Sequence, residues 1–430
     1  MSAPSEDDAP SLLWRHAKAV ADVADCTTLT RSAGCLAIGL ADILSSAHVA
    51  RHRAAARALI SGLGACSVPG SGVAASPSGA ATANAYLMHA QLTDDSYRVA
   101  AHPGLAVIPV AVAITEDTWN DSRPSEDRFL RAVVAGYECA GILADQLLPN
   151  VSNRGWRVTS VIAPLAAAVT IAYMLSFDDE TATSAIGLAA TTAGGPLSVV
   201  STDGDGWRLQ PALAVQSGVS ATLAAAAGLR AGVGGMSVEH GYLSQFGAQN
   251  TRPCTNRPPA VHDVTFKQYP VAMYGQSIFD AISALGGITG EICRLRLHLH
   301  PFAVQYGNQS QNSAGSISDV RSIAVAAFRC FHPGVSLPRS ADLHWIEINA
   351  DPAMQPLTAT LVLTLADGNH FAATGHGDTS HWDATDFTHR CAASLGRRGR
   401  DIAALALTLP GGAGLADLLL WWQKEAVVNG

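Results

Sequence analysis

Residues 81–110, ATANAYLMHAQLTDDSYRVAAHPGLAVIPV, hold the densest set of groups in the chain that could bind a polar ligand and move a proton. Asn84, Met88, Gln91 and Asp95 recur at helical spacing, so a helix here would aim three polar side chains along one face toward its C-terminal end. Asp94, Asp95 and Ser96 then form a polar turn, and His102-Pro103-Gly104 opens an apolar run over 105–114. Proline favours the first turn of a helix and pushes its predecessor out of the αR region, which puts His102 at or near the N-cap of that second helix. The positive end of the helix dipole there favours a neutral imidazole, and a neutral imidazole can accept a proton. The plainer alternative is a solvated turn followed by a capping histidine.

The elements that must position these groups read as helix after helix through the first half of the chain. Apolar residues recur three and four apart over 12–24, 29–46 and 50–63, and Gly, Ser and Pro break the pattern over 64–79. Ser125 is an N-cap candidate with Glu126 and Asp127 in the first turn, opening a helix to about 147. Further helices are expected over 160–175, from the acidic start 178–180 to 192, and over 210–229 after a glycine-rich stretch. Three prolines and no periodicity mark 251–263 as a domain boundary, and strand patterns are expected only beyond it. Arg294, Arg296, His298 and His300 interleave with Leu295, Leu297 and Leu299 in period-two alternation, 345–348 is part of a second strand, and 357–365 turns through Asp367-Gly368 into 370–374 as a hairpin. Helices over 275–286 and 316–330 interrupt these strands, and helix returns from 404, ending in an amphipathic 415–427. The fold class is therefore mainly α: a large all-helical domain, 1–263 completed by 398–430, with a smaller inserted α+β domain over 264–397.

Composition excludes several function classes. A chain of 430 residues that is 48% hydrophobic and 14% charged must bury much of itself, in its own core or against a partner subunit. A net charge of -8 without basic runs argues against nucleic acid and anionic membranes as partners. The cysteines at 26, 35, 66, 139, 254, 293, 330 and 391 show no metal-ligand spacing, which fits a reduced, cytoplasmic protein without a metal. Histidines 298, 300, 370, 376 and 381 of the α+β domain lack an acidic or cysteine partner at ligand spacing and read as surface residues. The apolar run 161–177 is short, Ala-rich and interrupted by Pro164, so it reads as a buried helix rather than a membrane span. No GxGxxG fingerprint, Walker-type lysine or GxSxG elbow is present.

The NA, HA, DD and HPG pairs and triplets of 81–114 resemble, at these spacings, the MmgE/PrpD superfamily of 2-methylcitrate dehydratases, cis-aconitate decarboxylases and iminodisuccinate epimerase-like proteins. AVVAGYECAGIL (132–143), APLAAAVTIAYML (163–175), AVQSGVSATLAAAAGL (214–229) and FKQYPVAMYGQSIFDA (266–281) extend the resemblance over nearly all of the chain after about residue 50. It implies a large helical domain, a smaller α+β lid, a site between them, a homodimer and no cofactor. His102 matches the family's HP histidine and Lys267 the lysine of its FK-x-[YF]-P strand. Leu92 replaces the leading aspartate of the family's DFDD turn, while Asp94, Asp95 and Ser96 remain. Arg157, Trp207 and Gln210 stand where the family has a histidine, a lysine and a histidine, and Ala272 or Gln276 stands for the histidine that ends the lid segment. The lid tyrosine falls near Ala324.

Such a pocket has one strong base candidate, His102, with Arg157, Arg208 and Lys267 as cations and Leu92, Trp207 and Ala272 as apolar walls. Only three lysines, at 18, 267 and 424, stand among the 27 basic residues, so a composition that favours Arg has kept a Lys at 267, where a pKa-shifting ammonium is useful. Tyr269 shares the Lys267 face by strand alternation, and Tyr274 and Gln276 follow as pocket-lining candidates. The expected activity is a cofactor-independent lyase reaction, dehydration or decarboxylation, on a small carboxylate or carbonyl compound more apolar than citrate-like acids, in specialised metabolism. An isomerase, epimerase or cyclase, an inactive binding protein, and an unaltered 2-methylcitrate dehydratase or cis-aconitate decarboxylase are the alternatives.

Overall fold

The computed structural model describes residues 8–119, 121–202, 204–248, 257–307, 318–338 and 343–428. Among them the chain begins α1 (Ala9–Asp22), α2 (Cys26–Ala47) and α3 (Ala50–Ala58). Asp25 caps α2 by accepting the Thr28 N–H at 2.8 Å. Eighteen of the 22 residues of α2 are buried, which makes it a central rather than a peripheral helix. Strand β1 (Leu63–Cys66) bridges to Ala75, so strand structure appears well before residue 263, against the sequence reading. Gly64 carries no side chain to hinder the Ala75–Ser76 backbone there, a close approach that an apolar-periodicity argument does not detect.

Next come α4 (Pro77–Ala90), α5 (Gly104–Thr118), α6 (Glu126–Leu147), the single turn α7 (Asn150–Asn153), α8 (Val158–Met174), α9 (Asp179–Ala190), α10 (Gly206–Ala226) and α11 (Tyr242–Phe246). Ser125 and Asp178 cap α6 and α9 as local sequence indicates, accepting the Arg128 and Thr181 N–H groups at 3.2 Å and 2.7 Å. Every residue of α8 is buried, so its apolar run belongs to the core, and no single described helix is long and apolar enough to cross a membrane. Helix α4 stops at Ala90, earlier than the periodicity of Asn84, Met88, Gln91 and Asp95 implies. Gln91 becomes its C-cap, donating to the Ser45 and Ser46 hydroxyls at 3.2 Å and 3.1 Å, and Asp95 falls outside the helix.

The chain forms two compact units. The first comprises Met1–Pro196, Arg208–Val264 and Ser380–Gly430, closed by α15 (Ala384–Leu395), α16 (Arg397–Thr408) and α17 (Leu415–Val428). Helix α15 precedes the helix return expected at 404. Its start is set by a capping box, Asp383 accepting the Asp386 N–H at 3.2 Å while Asp386 accepts the Asp383 N–H at 3.0 Å. Gly34 of α2 leaves the space that the Phe387 ring of α15 fills.

The second unit comprises Leu197–Trp207 and Thr265–Thr379. It holds α12 (Met273–Ser283), α13 (Pro301–Gly307) and α14 (Val320–Phe331) with a five-stranded sheet. Strand β2 (Gly290–Leu299) is its spine: β3 (Val335–Ser336) and β4 (Ile346–Ala350) run parallel to it at opposite ends, while β5 (Thr358–Leu365) lies antiparallel and leads into β6 (His370–His376). The alternation resolves as expected, with Leu295, Leu297 and Leu299 buried and Arg294 and Arg296 exposed. Gly368 turns the hairpin at φ +87°. Histidines 298 and 300 are half-buried, and 370, 376 and, in the first unit, 381 are exposed.

Candidate functional site

The site is assembled in the first unit by the turn between α4 and α5. Arg390 of α15 donates to Asp42 Oδ1 of α2 at 2.8 Å and to the Thr93 carbonyl at 3.2 Å, and the Thr93 hydroxyl donates to the same carboxylate oxygen at 3.0 Å. These bonds pin the turn from two helices. Burial pushes the Asp42 carboxyl up from its ordinary range, against the opposing pull of Arg390. Leu92, Arg98 and Val99 take left-handed backbone conformations, φ 57°, 48° and 69°, and Tyr97 and Ala101 close a tight loop by exchanging backbone hydrogen bonds at 2.8 Å and 3.0 Å. That loop delivers His102 one residue before Pro103, the N-cap of α5.

Four buried side chains then follow one another. Arg157, the N-cap residue of α8, brings Nη2 to 2.7 Å from Nε2 of His89 in the last turn of α4. A guanidinium only donates, so this ring nitrogen accepts and the proton sits on Nδ1. His89 Nδ1 donates to Asp94 Oδ2 at 2.8 Å. On the other side of Asp94, His102 Nδ1 lies 2.7 Å from the Asp95 carbonyl, 3.4 Å from Asp94 Oδ2 and 3.4 Å from Ser96 Oγ. A carbonyl only accepts, so Nδ1 carries a proton here too, and in the neutral ring Nε2 holds the lone pair. The two rings lie 5.1 Å apart between centroids, tilted by 58°.

The neighbouring aspartates do different work. The Asp95 carboxylate accepts from the Tyr137 hydroxyl at 2.6 Å and from the Gly104 N–H at 3.0 Å, so it serves the N-terminus of α5. A Cβ on Gly104 would lie 2.7 Å from both Asp95 Oδ2 and the Tyr137 oxygen. Burial, reinforced by Asp95, drives the Tyr137 hydroxyl far above its usual pKa, and burial pushes the nearby Cys35 thiol up to about 12. Asp94, fully buried, is the carboxylate that touches both imidazoles.

The structure thus brings together Asp94, Asp95, Ser96, His102 and Arg157, with Leu92 buried in the same turn. Arg208 caps α4, donating from Nε to the Ala90 carbonyl at 2.8 Å. Gln210 accepts from Ser160 Oγ at 2.9 Å and donates to the Pro196 carbonyl at 3.1 Å, so its amide braces the chain around α8. In the second unit, Lys267 is fully buried but lies in an irregular stretch rather than a strand. The alternation that paired Tyr269 with it therefore does not hold. Tyr269 instead stacks on Phe279 with centroids 4.7 Å apart and donates to Asp280 at 3.2 Å, and burial with the Asp280 charge pushes its hydroxyl up to about 12. The Tyr274 hydroxyl is spent on the Ser318 carbonyl at 2.6 Å. Gln276 accepts the Gln268 and Tyr269 N–H groups at 2.9 Å and 3.0 Å and donates to the Tyr269 and Val271 carbonyls at 2.9 Å and 3.2 Å, which makes it a brace for the loop after Lys267. Ala272 is the N-cap of α12, and Trp207 is buried in the first turn of α10. His89, Tyr137, Asp42 and Arg390 were not singled out by sequence. The HA pair holding His89 was visible, but nothing local says that its ring faces Arg157.

His89, Asp94 and His102 are also, among the described residues, a group whose ligand atoms lie within 4.8 Å of one another, as a cation site requires. The donor set fits a metal badly. Arg157 sets a positive charge 2.7 Å from one ring, and both Nδ1 atoms carry protons toward oxygen acceptors instead of lone pairs toward a shared centre.

The MmgE/PrpD N-terminal domain matches residues 17–252, more than half of the chain, and the chain belongs to this family. Among its relatives, the cis-aconitate decarboxylase-like protein oryM of Aspergillus oryzae is 27% identical over 343 residues, 77% of this chain and 66% of that protein. Human cis-aconitate decarboxylase is 25% identical over 219 residues, 49% of this chain and 44% of the human protein. The matches thus span 66% and 44% of the lengths of these relatives.

Proposed function

We propose that the chain is a lyase-type enzyme that works with its own side chains, with His102 moving a proton next to a carboxyl or carbonyl group: in dehydration the neutral ring takes the carbon proton and the hydroxyl leaves, protonated, as water, and in decarboxylation the imidazolium gives a proton to the carbon from which carbon dioxide has departed. The observation that carries this reading is the orientation of His102. Its Nδ1 is held by the Asp95 carbonyl at 2.7 Å with the Asp94 carboxylate at 3.4 Å, so Nε2 is the basic atom and the imidazolium formed on proton transfer has a countercharge beside it. The decarboxylase names of its relatives support the reaction class. Lys267 is the proposed cation for substrate carboxylate or enolate charge. A fully buried ammonium costs free energy that a solvated one does not, which supports a role beyond solubility. Leu92, Trp207 and Ala272 support a substrate more apolar than citrate-like acids, of the kind met in specialised metabolism, and a cytoplasmic homodimer is the form we propose.

The test is a panel of alkyl-substituted hydroxy and unsaturated acids that includes cis-aconitate and 2-methylcitrate. It is followed by carbon dioxide release and by deuterium uptake from heavy water, so that epimerisation or cyclisation also registers. His102→Gln should lower turnover of any accepted acid by about 10²- to 10⁴-fold with an unchanged circular dichroism spectrum. Wild-type turnover by that variant overturns the proposal.

A further inference from the structure

The geometry points to Arg157 as a positioning residue that fixes which nitrogen of His89 carries the proton, and so keeps that ring neutral and leaves the charge of Asp94 beside His102 uncancelled by it. The consequence for catalysis rests on the reading of His102 as base; the proton placement does not.

Arg157 and His89 are both buried, 5% and 0% exposed, and meet at 2.7 Å. The guanidinium has five N–H donors, no acceptor, and does not deprotonate in a protein. Opposite it, His89 Nε2 must present a lone pair, since a proton on that atom would set two N–H groups against each other. The single ring proton then resides on Nδ1 and points at Asp94 Oδ2, 2.8 Å away. A neutral ring donates to Asp94 without neutralising it. The carboxylate of Asp95 is engaged by Tyr137 and Gly104, so Asp94 is the carboxylate whose charge faces His102, at 3.4 Å. Ser96 Oγ and the Asp95 carbonyl, which also meet the His102 ring, are uncharged. With a neutral apolar residue at 157, Nε2 could take a proton, and the resulting imidazolium at His89 would compete with His102 for the same carboxylate. The one-way lock is a property of arginine, whose guanidinium donates and never accepts.

The experiment is nitrogen NMR of the full chain labelled at histidine ring nitrogens, with the His89 signals assigned by their loss in His89→Gln. Wild-type protein near pH 7 should show His89 with Nδ1 protonated and Nε2 unprotonated. Arg157→Met should move the Nε2 signal into the protonated region. Arg157→Ala should do the same, with the wild-type pattern restored by added methylguanidinium, which keeps the test available if the Met variant fails to fold. The change at the His102 ring should be no larger in the Arg157→Met, His89→Gln double variant than in His89→Gln alone. A protonated Nε2 in the wild type, a His89 spectrum indifferent to residue 157, or additive effects on His102 would each overturn the inference. No substrate is needed, so failure of the lyase assignment and failure of this proton placement are separately visible.

Discussion

Arg157 and His89 meet at 2.7 Å, Nη2 to Nε2, although they are 68 residues apart in the chain. Opposite that contact the His89 proton is turned to Asp94, and Asp94 stands between two imidazoles of which only His102 precedes a helix start. The site is thus supported from α4, α5 and α8, and by α2 and α15 through the turn that carries Asp94.

The close packing of Gly104 against Asp95 and Tyr137 predicts a sharp steric penalty. Gly104→Ala places a Cβ 2.7 Å from two oxygens and should cost about 1–3 kcal/mol, read as a lower midpoint of urea unfolding. Tyr137→Phe removes the 2.6 Å bond to Asp95 and should cost about 1–3 kcal/mol by leaving a buried acceptor short of a donor. Stabilities equal to wild type in both variants would refute the capping role of Asp95.

Removing Arg390 should be costly in a pH-dependent way. Arg390→Met leaves Asp42 buried without its cation, an effect of about 3–5 kcal/mol at neutral pH. The folded-state pKa of Asp42 already lies above its unfolded value of 3.8, so its contribution to stability is fullest below that value and is lost as pH rises through the raised folded pKa. Without the opposing guanidinium the folded pKa rises further. The gap between variant and wild type should therefore be smaller in acid than at pH 8, measured by denaturant titrations at several pH values; a gap that widens on acidification contradicts this account.

Gln276 should behave as a brace rather than a substrate contact. Gln276→Leu deletes four hydrogen bonds to the 268–271 backbone, and the amides of Gln268 and Tyr269, which donate to its Oε1, should exchange with deuterium faster while amides of β5 keep their protection. Unchanged exchange at those two amides would return Gln276 to the list of pocket residues.

The local features of this protein were written in its sequence. Ser125 and Asp178 start helices because their side chains satisfy N–H groups three residues on, Gly368 turns a hairpin because it tolerates φ +87°, and β2 sorts its leucines from its arginines because successive side chains leave a strand on opposite sides. The same local logic placed His102 next to a helix start, and the family motifs marked Asp94 and Arg157. It could not place Lys267, whose strand-like neighbours lie in an irregular loop held by Gln276, or find β1 and α15, where close backbone approach and a capping box outweighed weak periodicity. Nor could it see His89 between Arg157 and Asp94, or Arg390 reaching Asp42 across 348 positions. Hydrogen-bond direction between distant side chains depends on which helices pack together, and only the folded chain decides which ring nitrogen keeps its proton.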